Sequence, residues 1–115
     1  MFESLRARMG RALARYLARP IKRNRHPSTS PLELVAMTLR KGDVLLVDGN
    51  SRFSVAIRYL TQSTWSHSAL CIADASATDA LDSNRGVDAC VLLEADVVKG
   101  VCAVPLTKYA GYHTR

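Results

Sequence analysis

Eight of the sixteen lysine and arginine residues in this 115-residue chain fall within residues 1–26, against the single acid Glu3. That stretch therefore carries +7 and the remainder −1. The split limits what can fold together. Cations recurring every few positions cannot enter a small core without leaving unpaired charge, so the core has to come from the later part of the chain and has to be small. Residues 2–19 place Phe2, Leu5, Met9, Ala12, Leu13, Tyr16 and Leu17 at steps of three and four. Arg6, Arg8, Arg11, Arg15 and Arg19 lie mostly on the other faces, and Pro20 ends the pattern. The spacing predicts a basic amphipathic helix. Such a helix either docks on the rest of the chain or another subunit, or lies on an anionic membrane surface through residues 1–25 with those five arginines as contacts. Nucleic acid is the weaker partner, because base-stacking aromatics are few and the remainder is not basic.

Three cysteines at positions 71, 90 and 102 form no Cys-x-x-Cys pair. An odd number of thiols inside apolar runs reads as buried residues in a reducing compartment, not as a disulfide framework. His26, His67 and His113 are scattered as well, so no metal site and no cofactor is expected. No segment has the unbroken apolar run of a spanning helix, and arginines interrupt anything like a secretory h-region. The expectation is a cytoplasmic chain, peripheral at the inner face of the membrane if the basic helix binds there.

Residues 1–29 form the basic helix and its linker, the latter marked by Pro20, a basic run and Pro27-Ser28-Thr29-Ser30. From residue 30 the pattern changes to an α+β domain. Ser30, Pro31 and Glu33 fit N-cap, N1 and N3 of a helix over 31–39. Gly42 ends it, and residues 43–47 read as an apolar strand closed by Asp48-Gly49-Asn50. A second helix from Ser51 is expected to carry Phe53, Ala56, Ile57 and Leu60 inward. Strands over 67–73, 89–95 and 101–104 follow, with 74–88 read as a surface loop, Pro105 opening a helical turn through Tyr109, and residues 111–115 starting one more strand.

His67 stands where a polar loop meets an apolar strand, a place from which an imidazole can reach a substrate. In strand geometry it shares a face with Ala69, Cys71 and Ala73, and Cys71 is roughly 13 Å away, too far to be its partner. The same rule aligns Cys90, Leu92 and Glu94, so a carboxylate closes an otherwise apolar strand; it either faces water at an edge or orients the His67 ring. Trp65 and Ser66 are candidates for lining a substrate groove, although a single Trp in a small domain more often packs on the core. Ser51 and Ser54 open a helix, but Ser51 is an ordinary cap and neither has an evident base, so a serine nucleophile is not assigned.

Several blocks together resemble a known family. These are Lys41-Gly42-Asp43-Val44-Leu45-Leu46-Val47, Ile57-Arg58-Tyr59-Leu60-Thr61, Ser66-His67-Ser68-Ala69-Leu70, Leu93-Glu94-Ala95 and Val104-Pro105-Leu106. Their order and spacing over about residues 40–115 are similar to the permuted papain-like amidases of the YaeF/YiiX type, circularly permuted relatives of the NlpC-type cysteine hydrolases. The resemblance implies a papain-like domain acting on amide, ester or thioester bonds of a small peptide or acyl-lipid substrate, cell-wall peptides included. It matches His67 to the catalytic base and Glu94 to the acid that positions it. In that family the nucleophilic cysteine follows both, at the start of a later helix, where the helix N-terminus favours thiolate. No cysteine of this chain matches that position, so the expectation is the N-terminal, truncated part of such a hydrolase, inactive by itself. The other expectation is a non-catalytic membrane-associated or adaptor module working through the basic helix.

Overall fold

Short runs of branched apolar residues between turn residues become the strands of an antiparallel sheet. The computed structural model describes residues 2–21, 28, 31–77 and 83–115. Its four strands are β1 (Val44–Val47), β2 (His67–Ala73), β3 (Val91–Asp96) and β4 (Gly100–Pro105), in the order β1-β2-β3-β4. Every neighbouring pair is antiparallel. The expected last strand is a brief extension: Leu46 and Arg115 exchange backbone hydrogen bonds of 2.8 and 3.0 Å, and Val47 bridges Thr114 on the open side of β1. Among the described residues four helices accompany the sheet: α1 (Phe2–Leu17), α2 (Leu32–Thr38), α3 (Arg52–Thr61) and α4 (Ser83–Ala89).

Alternation along the strands decides which side chains meet. Leu45 and Val47 of β1, Ala69 and Cys71 of β2, and Leu92 and Glu94 of β3 all face inward and are buried. Ala36 and Leu39 from the α2 end, Val87 from α4, Cys90, and Leu106 and Tyr109 from the turn after β4 complete this core. The opposite face of the sheet leaves Val44, Leu70 and Val101 exposed.

Four expectations are corrected. Residues 74–88 are not a plain loop: they hold a 3₁₀ turn at Ala75–Ala77 and most of α4, which ends at Ala89 inside the strand expected over 89–95, because Val87 and Cys90 are apolar at helical spacing and supply the core between β2 and β3. Cys90 accordingly sits just before β3 and not in it. Pro31 occupies the N-cap of α2 without a capping side chain, and the expected cap Ser30 lies outside the described residues, as do residues 22–27 of the linker and 78–82 of the expected loop. Most informative is α3. Phe53, Ala56 and Leu60 are exposed and Ile57 only half-buried, whereas Ser54 is buried. Polar bonds fix this orientation. Ser51 caps the helix by accepting from the Ser54 amide at 3.0 Å, and Arg58 donates to Asp48 and, at 2.6 Å, to the Gly49 carbonyl. The helix is thereby held to the β1 turn through its polar side, with its most apolar residues outside.

The basic leader has the expected helix, but its apolar stripe is not docked. Leu5, Met9, Leu13 and Tyr16 are all more than half exposed. The contacts that fix α1 lie at its C-terminal end: Pro20 bridges Ser51, the Ile21 amide donates to Asn50 at 2.8 Å, and Arg52 covers the Tyr16 ring at 4.1 Å. No helix among the described residues is long and apolar enough to cross a membrane.

These placements separate two leucines that a sequence pattern treats alike. Leu92→Ala, at a fully buried position, should lower the unfolding free energy by about 2–5 kcal/mol in chemical denaturation. Leu60→Ala, 78% exposed, should change it by no more than about 0.5 kcal/mol. Comparable losses at both positions would contradict the outward orientation of α3.

Candidate functional site

Pairing Leu70 with Leu93 across β2 and β3 sets the register that brings the two candidate residues together. Both lie on the inward face, and His67 Nε2 stands 2.7 Å from Glu94 Oε2. The Glu94 side chain is only 1% exposed, whereas that of His67 is 30% exposed, so the pair runs from the core to solvent. Burial of an ionised carboxylate costs several kcal/mol unless donors replace the lost water. Three donors do so. Oε2 receives the His67 ring nitrogen and the Tyr109 hydroxyl, and Oε1 receives the Lys108 ammonium.

The titration of these groups follows from that arrangement. Burial alone pushes the Glu94 carboxyl up, but the hydrogen bonds from Lys108, Tyr109 and His67, with the Lys108 charge, outweigh it and hold the group below its ordinary range. Burial first, and then the bond to Glu94 and its negative charge, push the Tyr109 phenol strongly up, so it stays protonated and donates. An ionised carboxylate only accepts hydrogen bonds, hence the His67 Nε2 facing it carries a proton. In the neutral ring Nδ1 then holds the lone pair. Among the described residues no hydrogen bond engages Nδ1, which leaves it as the basic atom.

Lys108 and Tyr109 were not foreseen. Both belong to a 3₁₀ turn over Leu106–Tyr109 that follows Pro105. Residues three apart share one side of such a turn, so Leu106 and Tyr109 are buried together. The signal for Tyr109 was therefore present in its spacing from Leu106. Lys108, with 42% of its side chain exposed, gave none.

His67 and Glu94 share a cleft of about 260 Å³ with Gly49, Ser51, Ser54 and Ser66, closed by Val47, Phe53, Ile57 and Tyr112. The Gly49 amide donates to Ser66 Oγ at 2.9 Å. A Cβ at Gly49 would overlap Ser54 Oγ and lie 3.0 Å from Ser66 Oγ, so only glycine lets the β1 turn approach this closely. Ser51 and Ser54 bond each other at 2.9 Å, and neither engages the imidazole. Trp65 does not join the core, where a single Trp more often packs. It is half-buried and stacks on His113 at 5.1 Å between ring centroids, beside a shallow groove shared with Leu46, Ser66, His67 and Ser68.

None of the three cysteines lines the cleft. Cys71 and Cys90 are in the core, and burial is the main cause that pushes both thiols above their ordinary range. Cys102 on β4 faces Glu94 from the side opposite His67, with β3 between them. Two strand spacings of about 4.8 Å each keep it from the imidazole. Compared with protein families, curated proteins and solved structures, the chain matches none of them.

The Glu94 contribution to stability has a defined pH dependence. Its folded carboxyl titrates below the ordinary value of 4.5, so the stabilisation is complete above that value and is lost as pH falls through the lowered folded value. Glu94→Gln should cost about 2–4 kcal/mol at neutral pH. Denaturation curves across the acid range should show the gap between the two proteins narrowing on acidification, and a constant gap would contradict an ionised Glu94.

Proposed function

We propose that residues 30–115 carry the base side of a papain-like cysteine hydrolase site, permuted in chain order, that acts on an amide, ester or thioester carbonyl. The observation that supports this is the 2.7 Å bond between His67 and a carboxylate buried at the wall of a cleft. Such a pair supplies general base and acid chemistry with the ring held in one tautomer. In the proposed reaction a thiol gives its proton to His67 Nδ1 and the thiolate attacks the carbonyl carbon. The imidazolium then returns the proton to the leaving amine, alcohol or thiol as the tetrahedral intermediate collapses. Glu94 stabilises the positive ring throughout, and water hydrolyses the acyl-thiol in a second round of the same proton transfers. Small peptides and acyl-lipids are both substrates within the resemblance.

The attacking thiol is not Cys71, Cys90 or Cys102, whose positions are described above. Nor is it replaced by a serine: Ser51 and Ser54 bond each other and have no contact with the imidazole. The base can therefore be tested apart from the nucleophile, by adding a small thiol from solution. The purified chain should accelerate thiolysis of an activated aryl ester by that thiol. General-base assistance is worth about 10²–10⁴-fold, and His67→Ala should abolish it, while Ser54→Ala should leave it intact. Equal rates with and without His67 would contradict the reading; a loss confined to Ser54→Ala would move the nucleophile to that serine.

A further inference from the structure

Helix α1 presents two adjoining stripes, one apolar and one basic, that stay largely in solvent, with Arg52 lying over only the last apolar member, Tyr16. Residues at i, i+4, i+8 and i+11 share one face of a helix. Leu5, Met9, Leu13 and Tyr16 have that spacing, and they are 55, 65, 58 and 51% exposed. Arg8, Arg11, Arg15 and Arg19, at i, i+3, i+7 and i+11, run along one border of this stripe, and Arg6 stands on the other; all five are exposed. The side that turns toward the rest of the chain is different. Ala14, Leu17 and Ala18 are the half-buried residues of this end, and Ala18 reaches the wall of the His67 cleft. The helix is thus attached at its C-terminal end by Ala14, Leu17 and Ala18, with Leu5, Met9 and Leu13 turned to solvent.

We infer that α1 is an interfacial anchor that lays its Leu5–Met9–Leu13–Tyr16 stripe into the surface of an anionic phospholipid bilayer. Charge complementarity selects this occupant. A protein groove or a second copy of α1 would have to face five guanidinium groups flanking the contact, and a second copy would bring five more of the same sign. An anionic lipid surface pairs them all. Apolar side chains then enter the acyl boundary while the arginines at both edges extend along it to the phosphates. The body of the chain brings little to such a surface, since the charge outside residues 1–26 sums to −1. Because Arg19 and Pro20 are bonded to Arg52 and Ser51, docking of α1 holds the cleft close to the lipid surface. The inference does not depend on the chemistry assigned to His67.

Co-sedimentation of the full chain with vesicles tests it. Phosphatidylcholine vesicles containing phosphatidylglycerol should bind the chain, pure phosphatidylcholine should bind it far less, and salt should weaken the bound form. Each arginine near such a surface is worth about fivefold in affinity, so the combined Arg8→Gln, Arg11→Gln, Arg15→Gln variant should bind about a hundredfold more weakly. Met9→Ser with Leu13→Ser should lose about tenfold or more, whereas Met9→Leu with Leu13→Met, which keeps the apolar area, should bind like the parent. Circular dichroism of every variant, expected to be unchanged, separates loss of contact from loss of helix. Absence of binding to both vesicle types would overturn the inference. So would binding that survives the double serine change, which would leave the arginines as a general polyanion site, with a single-stranded oligonucleotide competing equally well. A dimer in sedimentation equilibrium that the serine variant dissolves would assign the stripe to a second copy instead.

Discussion

A single buried carboxylate sets the terms for the architecture around the cleft. Glu94 lies on an inward-facing position of β3 that alternation would fill with an apolar residue, and its charge requires hydrogen-bond donors in place of water. β2 supplies His67, and the turn after β4 supplies Lys108 and Tyr109. Without these donors together the carboxylate would be an unpaired buried charge, costing several kcal/mol. One side chain therefore couples the register of β2 on β3 to the path of the chain after β4. The same constraint gives His67 its orientation: the nitrogen committed to Glu94 is Nε2, and Nδ1 is engaged by no hydrogen bond among the described residues.

How much of this could be read from the residues differs by element. Strand alternation was legible, because Cys90, Leu92 and Glu94 at steps of two become the three buried positions around β3, and His67 shares its face with Ala69 and Cys71 as strand geometry requires. The side of α3 that packs inward was not. Its apolar residues form a face, but periodicity reports only that a face exists, and here Ser54 and Arg58 make the specific bonds to the β1 turn while Phe53 and Leu60 remain outside. The helix α4 was hidden by composition: Asp, Ser, Asn and Gly resemble a loop, and only Val87 with Cys90 betrays a packed side. Tyr109 was legible in principle from its distance to Leu106, and Lys108 was not, since a half-exposed lysine bonding to a buried acid has no pattern of its own.

The charge division seen in the sequence has a spatial counterpart. The cationic helix keeps its apolar stripe and its arginines in solvent, and it is joined to the body near the cleft through Pro20, Ile21 and Arg52. The body meanwhile buries one set of coupled charges around Glu94 and another where Arg58 pairs with Asp48. The cationic helix and the His67–Glu94 pair thus meet at one region of the molecule, the β1 turn and the first residues of α3. Gly49 is the pivot of that region, where the absence of a side chain lets Ser54 and Ser66 close over the turn.

The claim that everything else in the cleft rests on is that Glu94 holds His67 with the proton on Nε2. Nitrogen-15 NMR of the imidazole, recorded with the ring neutral, reports the tautomer directly. A protonated Nε2 and a bare Nδ1 are expected; a ring protonated on Nδ1 would contradict that arrangement, because the nitrogen facing the carboxylate would then have no proton to give.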